Sequence, residues 1–399
     1  MSDARTTYGS VFASRGFAAL YGGAALNMVG ASLQVLAFSV AVFDATRDPA
    51  LSSAAFAAGF LPQVVGGAVL PSLADRVPAR LLLPVGSLLR AAVAVLLAAG
   101  LGGVGGGIAL VAAASLVQPL FSAGQSALVS RLLTGDRYVL GRSLFTMTSM
   151  VAQLVGIALG GATLQALGPA PALLVAAGVE AVSALVLAVG LPTLPVVRAA
   201  ERWHLALTLR GYASVLRRPV LRGLLLRWWL PLGLFVGAES LAVAYAGELR
   251  ADGITTALLI GAPPAGALLG EVLVGRFCRP ATRERLVLPL LLLTGAPLLP
   301  LALTPPPAVA VLLLGAAAAG LAYALGGQAV FRDGLPSGGE AVGFGLMGVG
   351  MMTAQGVGPL LAGPLASALS AGPAMALCGA AVVLVAVPLS RPAPAPLPA

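Results

Sequence analysis

Long apolar stretches separated by short loops dominate this sequence, and they constrain its fold more than any other feature. Stretches such as Leu81–Gly100 and Ala170–Leu191 hold about 20 residues each, enough for an α-helix to cross a hydrocarbon layer of roughly 30 Å. Hydrophobic residues make up 59% of the chain and charged residues only 9%, a composition that soluble globular domains do not have. The chain is therefore predicted to be an integral membrane protein.

The apolar stretches number twelve, and each is predicted to form one transmembrane helix of an all-α fold. They lie near residues 17–43, 51–72, 81–100, 106–129, 141–167, 170–191, 223–247, 253–275, 284–303, 307–331, 341–369 and 371–390. Turn-forming segments such as Gly102–Gly105 and Pro305–Pro307 separate neighbouring stretches. This arrangement leaves no room for a sizeable soluble domain.

The longest connection between the stretches divides the chain into two similar parts. We expect an N-terminal six-helix half, a cytoplasmic linker, a C-terminal six-helix half and a disordered tail, over residues 1–191, 192–222, 223–390 and 391–399. Gly156 and Gly161 in the fifth stretch lie about 200 residues before Gly358 and Gly363 in the eleventh, which indicates a duplicated six-helix unit.

The linker is predicted to contain an amphipathic helix. Apolar side chains recur there at helical spacing, with arginines on the other faces: Leu205, Leu209, Tyr212 and Leu216. A helix of this kind lies in the membrane interface, and a regulatory partner site is the alternative.

The arginines predict how the chain is oriented in the membrane. All 23 basic residues are arginine, and all but four lie in the termini and in the loops of one side. Arg47 and Arg250 lie in the opposite loops, and Arg90 and Arg227 lie inside apolar stretches. Since cytoplasmic loops are rich in basic residues, both termini are predicted to be cytoplasmic, in a protein of the cell's inner (plasma) membrane. The net charge of +9 is explained in this way, and no nucleic-acid partner is expected.

Several kinds of catalytic chemistry have no basis in this sequence. A chain without lysine has neither a P-loop nor a Schiff-base lysine. His204 is the only histidine, Cys278 falls in a predicted loop and Cys378 in the last stretch, so no clustered metal site and no disulfide are expected. We expect no enzyme activity, no cofactor and no metal.

Short motifs in the sequence resemble those of the major facilitator superfamily. After the second stretch, Leu73–Arg76 together with Arg80 resembles that family's Gly-x-Leu-Ala-Asp-Arg-x-Gly-Arg motif, although Pro71 and Pro78 stand where the family has glycine. Three further segments resemble the macrolide-efflux and enterobactin-exporter type of this family, namely Gln118–Leu132, Gly141–Gly168 and Tyr212–Leu225.

The resemblance implies a fold of twelve helices in two pseudo-symmetric halves that move a small molecule by alternating access. It also implies a gating role for Asp75, Arg76 and Arg80. Asp75 would face the positive N-terminal end of the eleventh helix in one state and lose that contact in another. The alternative is that these residues only cap and orient their loop.

Charged residues inside the membrane need a partner or a function. Arg90 and Glu180 lie near the middle of the third and sixth stretches, which the resemblance places away from the central cavity. A structural ion pair is therefore favoured over a substrate site. Arg227 is expected to reach the cytoplasmic membrane surface, and Glu271 to join a charge network with Arg276, one to two turns away.

Glu239 differs from these residues because the segment around it, Phe235–Tyr245, contains no arginine. It lies in the seventh stretch, which lines the cavity in the family that the chain resembles. Three roles are open for its carboxyl group: exchange of the coupling proton, a hydrogen-bonded structural role, or direct contact with a cationic substrate. Glu271 is the second candidate for proton coupling.

Neutral amides supply the other polar groups of the predicted cavity, and they are Asn27, Gln34, Gln118, Gln125, Gln328 and Gln355. A mostly apolar lining with scattered amides suits an amphipathic organic solute. We therefore expect a monomeric, proton-coupled exporter of drug-like or secondary-metabolite small molecules, with the lipid bilayer as its surroundings. The alternatives are a proton-coupled importer of a small nutrient and an intramembrane enzyme or lipid-handling protein.

Overall fold

The computed structural model of the protein describes Phe12, Ser14 and residues 16–70, 77–133, 136–192, 205–335 and 340–390. Over these residues the chain is helical and contains no strand. Ten helices in the described ranges are long and apolar enough to cross a membrane, and Val151–Leu167 and Val287–Leu303 are shorter apolar helices. Together they account for the twelve spans, so the predicted all-α fold of twelve transmembrane helices is confirmed.

The chain packs into two compact units. The first unit contains Met1–Ala41 and Val65–Trp203, and the second contains Val42–Val64 and His204–Ala399. This division differs from the six-and-six division by chain order in one segment, because Val42–Val64 packs with the second unit. Several predicted features lie outside the described residues: Asp75 and Arg76, residues 193–204 of the linker, and the tail 391–399.

The helices up to the linker are α1 (Phe17–Thr46), α2 (Pro49–Ala57), α3 (Leu61–Val69), α4 (Ala79–Ala98), α5 (Gly103–Leu132), α6 (Asp136–Leu167) and α7 (Pro169–Gly190). In the first unit α4 packs along α7 over small side chains, with Ala91, Ala94 and Ala177 buried between them. Small residues let helices approach closely where lipid provides no hydrophobic driving force. The charged side chains of the site described below lie on these two helices.

The later helices are α8 (Leu205–Leu216), α9 (Pro219–Ser240), α10 (Ala242–Glu248), α11 (Gly253–Phe277), α12 (Pro280–Arg285), α13 (Val287–Gly295), α14 (Pro307–Ala319), α15 (Gln328–Gly334), α16 (Glu340–Leu369) and α17 (Ala371–Ser390). Short 3₁₀ segments, Ala296–Leu303 and Gly320–Leu325, extend α13 and α14. The seventh span, Pro219–Glu248, is divided between α9 and α10 at Leu241.

Helix α8 lies in the linker segment where the sequence predicts an amphipathic helix. Leu209 and Arg210 are exposed, whereas Val215 is buried in the core of the second unit and Tyr212 packs against that core. Burial raises the pKa of the Tyr212 phenol above its ordinary value. The helix is therefore anchored to protein along one face.

One of the two glycine pairs singled out in the sequence, Gly156 and Gly358, lies at similar helix contacts in the two units. In the first unit Gly156 of α6 lies against Val29 of α1, where a Cβ atom would meet the Val29 backbone. In the second unit Gly358 of α16 lies against Gly233 of α9, with its added Cβ meeting the Gly233 carbonyl. The fifth span thus packs on the first, and the eleventh packs on the seventh.

Candidate functional site

A buried carboxylate in the first unit forms the centre of a polar network. Glu180 of α7 has a side chain that is 0% exposed. Arg90 of α4 donates from Nε to Glu180 Oε1 at 3.1 Å, and Asn27 of α1 donates from Nδ2 to Oε2 at 2.7 Å. Arg90 and Glu180, expected from the sequence to pair, are in contact. The two donors satisfy a charge that is costly to bury.

The network extends to a fourth helix through amide and hydroxyl groups. Arg90 Nη1 donates to Gln118 Oε1 of α5 at 3.0 Å. The hydroxyls of Ser87 and Ser183 share a hydrogen bond of 3.2 Å, and Ser183 also donates to the Gly23 carbonyl of α1 at 2.8 Å. Neither serine is predicted as a site residue from the sequence. Each lies three residues from a charged partner, Ser87 before Arg90 and Ser183 after Glu180, which places it on the same helix face.

A cavity within the first unit adjoins this network. Its polar lining consists of Asn27, Ser87, Arg90, Gln118, Ser122 and Gln125, and its apolar wall includes Phe121. Three amides predicted to line a cavity, Asn27, Gln118 and Gln125, are thus brought together. The ion pair was expected to lie away from the transport cavity, yet Arg90 lines this cavity whereas Glu180 does not.

The other predicted amides do not line this cavity. Gln34 of α1 has a buried Oε1 atom that accepts no hydrogen bond from any described residue. Gln355 donates to the Met351 carbonyl of its own helix at 3.3 Å. Gln328 is exposed at the start of α15. A shared cavity for all six amides remains a prediction.

Glu239 lies in the last turn of α9 and is partly buried. Its carboxylate makes no hydrogen bond or ion pair with any residue in the described part of the chain. It lies nine residues before the end of the span at Glu248, roughly 14 Å along the helix axis. The neighbouring Ser240 hydroxyl donates to the Gly237 carbonyl at 2.7 Å and to Ser53 at 3.3 Å.

Of the expectations about the remaining intramembrane charges, the link between Glu271 and Arg276 is wrong, while the reach of Arg227 to the membrane surface stays a prediction. Glu271 and Arg276 are both exposed and form no ion pair with each other, since a separation of five residues turns them about 140° apart around the helix. Arg227 is buried, and its Nε donates at 2.8 Å to the carbonyl of Leu389, one residue before the end of the last span. Carbonyls in the last turn of a helix lack a partner within it, so Leu389 offers a fixed acceptor.

The described residues include one residue of the predicted gating motif and allow a search for metal-binding groups. Arg80, the last residue of the loop motif, is exposed in the first turn of α4. Across the described residues no group of three or more His, Cys, Asp and Glu side chains is placed to hold a metal ion.

Comparison with known proteins identifies the architecture. A family model described as Major Facilitator Superfamily matches residues 20–332. No curated protein matches the sequence significantly.

Solved structures of transporters have a similar fold. The nucleoside transporter NupG is 13% identical, with a TM-score of 0.72 over 94% of this chain and 98% of that one. A POT family transporter in complex with 5-aminolevulinic acid is 12% identical, with a TM-score of 0.72 over 93% and 94% of the two chains. The human organic anion transporter MFSD10 (TETRAN) is 18% identical, with a TM-score of 0.63 over 94% and 98%. At these identities the likeness shows the fold alone.

Proposed function

Because the chain belongs to the major facilitator superfamily, we propose that it is a proton-coupled exporter of drug-like or secondary-metabolite small molecules. The family match and the transporter structures identify a transporter rather than an enzyme. Transport would proceed by alternating access of the two six-helix halves.

The observation that carries the proposed coupling is the state of Glu239. Its carboxylate has no ion-pair or hydrogen-bond partner among the described residues, although it lies far from either end of its span. A carboxylate paired with an arginine, as Glu180 is, has a partner that stabilises its charged form. Glu239 has no such partner among the described residues, so a change in its contact with water would be enough for it to bind or release a proton.

The polar groups of the first unit support the proposed class of solute. Amides and hydroxyls lie beside leucine side chains and Phe121 in one cavity. A solute with an apolar body and a few hydrogen-bonding groups fits a lining of this kind.

Three further parts of the proposal come from the sequence. The excess of arginine on one side supports a cytoplasmic location for both termini in the inner (plasma) membrane. The loop motif, Asp75, Arg76 and Arg80, would gate the cytoplasmic side. The transporter would act as a monomer.

Vesicles of defined orientation test the proposal. Inside-out vesicles that contain the protein are given an acid interior, and uptake of labelled erythromycin, a macrolide, is followed. An exporter that exchanges solute for protons should accumulate it, and an ionophore that collapses the gradient should stop the accumulation. Loss of preloaded solute from the same vesicles would instead indicate the alternative, a proton-coupled importer.

A further inference from the structure

We propose that the cavity of the first unit binds the carboxylate group of an amphipathic organic anion, and that Arg90 is the residue that contacts it. The inference deepens the proposed transport function, because it names a chemical feature of the solute. The binding itself can be measured without transport, so the two proposals can fail separately.

The guanidinium of Arg90 has N–H donors that make no hydrogen bond with any described residue. An arginine side chain offers five N–H groups. Nε donates to Glu180 and Nη1 to Gln118, while Nη2 has no hydrogen-bond partner among the described residues. Guanidinium groups bind carboxylates through parallel N–H donors, so the unused groups match this ligand.

The ion pair presents its positive member to the cavity. The Arg90 side chain is 21% exposed and lines the cavity, whereas Glu180 is completely buried behind it. Among the described residues, none that lines the cavity is acidic. A ligand in this position would therefore contact the Arg90 guanidinium directly, whereas the Glu180 carboxylate would lie behind that guanidinium.

The remaining lining complements a carboxylate attached to an apolar body. The Ser122 hydroxyl and the Gln125 amide make no hydrogen bond with any described residue, so both have donors available. Phe121 and Leu83 provide apolar surface in the same cavity. Donors at one point and apolar surface around it select an aromatic or aliphatic carboxylate over a compact inorganic anion.

Glu180 and Gln118 hold the guanidinium in place for this contact. Their two hydrogen bonds fix Arg90 from α7 and α5. The Glu180 charge also weakens attraction of a second carboxylate. Binding should therefore be moderate in the native protein and tighter once the Glu180 charge is removed.

The test is equilibrium binding of labelled 2-naphthoate to the full chain in lipid nanodiscs, with the neutral 2-naphthamide as the matched probe. Wild-type protein should bind the carboxylate more tightly than the amide, after subtraction of binding to empty nanodiscs. Arg90→Gln should weaken 2-naphthoate binding at least about tenfold. Glu180→Gln should strengthen it several-fold. Arg137→Gln, which removes an exposed arginine at the start of α6, should leave it unchanged.

The double variant Arg90→Gln/Glu180→Gln keeps the test decisive if Arg90→Gln does not fold, because it leaves no buried charge unpaired. It should bind 2-naphthoate as weakly as the amide. The proposal is overturned if the double variant binds like the wild type, if Glu180→Gln weakens binding while thermal unfolding shows it folded, or if the wild type does not distinguish the two probes. None of these binding results decides the proposed function, which the vesicle transport experiment tests separately.

Discussion

The two carboxylates of this chain that lie deep in membrane spans differ in what holds them. Glu180 accepts hydrogen bonds from Arg90 and Asn27 and is fully buried. Glu239 has neither kind of partner among the described residues. A group fixed by two donors serves packing, while a group without them is available for proton exchange. The distinction supports a structural role for the first and the coupling role that we propose for the second.

The structural role of Glu180 predicts unequal effects of single and paired neutralisation. Glu180→Gln removes the partner of Arg90 and leaves its charge uncompensated, which should cost about 3 kcal/mol of stability. The double variant with Arg90→Gln should be closer to the wild type, because no charge is left unpaired. Thermal unfolding of the purified protein, followed by the loss of its monodisperse peak, measures the difference. Equal stability of the single variant and the wild type would contradict the ion pair's role.

The coupling role of Glu239 predicts a separation between transport and folding. Glu239→Gln keeps the shape of the side chain but does not titrate, so gradient-driven transport should fall at least about tenfold while folding and solute binding persist. Vesicle uptake and thermal unfolding check the two parts. Glu284→Gln, an exposed carboxylate outside the spans, is the control and should transport normally. Undiminished transport by the Glu239 variant would move the coupling role to Glu271 or Asp75.

The sequence predicts those site residues whose placement in the membrane costs the most free energy. Arg90, Glu180 and Glu239 stand out because a charge in an apolar stretch is expensive. Ser87 and Ser183 did not stand out, because serine is common in membrane helices and carries little cost. The Arg227 contact with Leu389 was missed for another reason: it joins residues 162 positions apart, and side-chain direction across helices is not a property of local sequence.

At the scale of elements, backbone contacts explain the paired glycines. Gly156 meets α1 and Gly358 meets α9 without a Cβ between the backbones. Hydrophobic stretches were enough to predict where the helices lie. They did not predict the break at Leu241 or the 3₁₀ segments, because the mean hydropathy of a stretch is the same whether its backbone forms an α-helix or a 3₁₀ helix.

The close contact at Gly358 predicts a position-specific loss of stability. Gly358→Val should force α16 away from α9, since the new Cβ would overlap the Gly233 carbonyl, at a cost of about 1–3 kcal/mol. Gly348→Val is the matched control on the same helix, because a Cβ there meets nothing within 4 Å. Thermal unfolding of both variants provides the comparison. Similar unfolding temperatures would argue against the close contact.

At the scale of the whole molecule, the second unit includes a segment that belongs to the first half by chain order. Asp48 caps α2 and accepts a hydrogen bond from Ser367 Oγ at 2.7 Å, and Gly363 lies against Ala50. Sequence order could not show this grouping, because it depends on contacts between residues about 320 positions apart.

The most direct test of the account is whether solute movement and proton movement are linked. Inside-out vesicles are given an acid interior reported by the quenched fluorescence of an acridine dye, and erythromycin or 2-naphthoate is then added outside. Proton-coupled export predicts that one of these solutes restores the fluorescence, beyond the change in vesicles without the protein, and that Glu239→Gln abolishes the recovery. Uptake of solute with no recovery of fluorescence would contradict coupling, and neither uptake nor recovery with both solutes would contradict the proposed solute class.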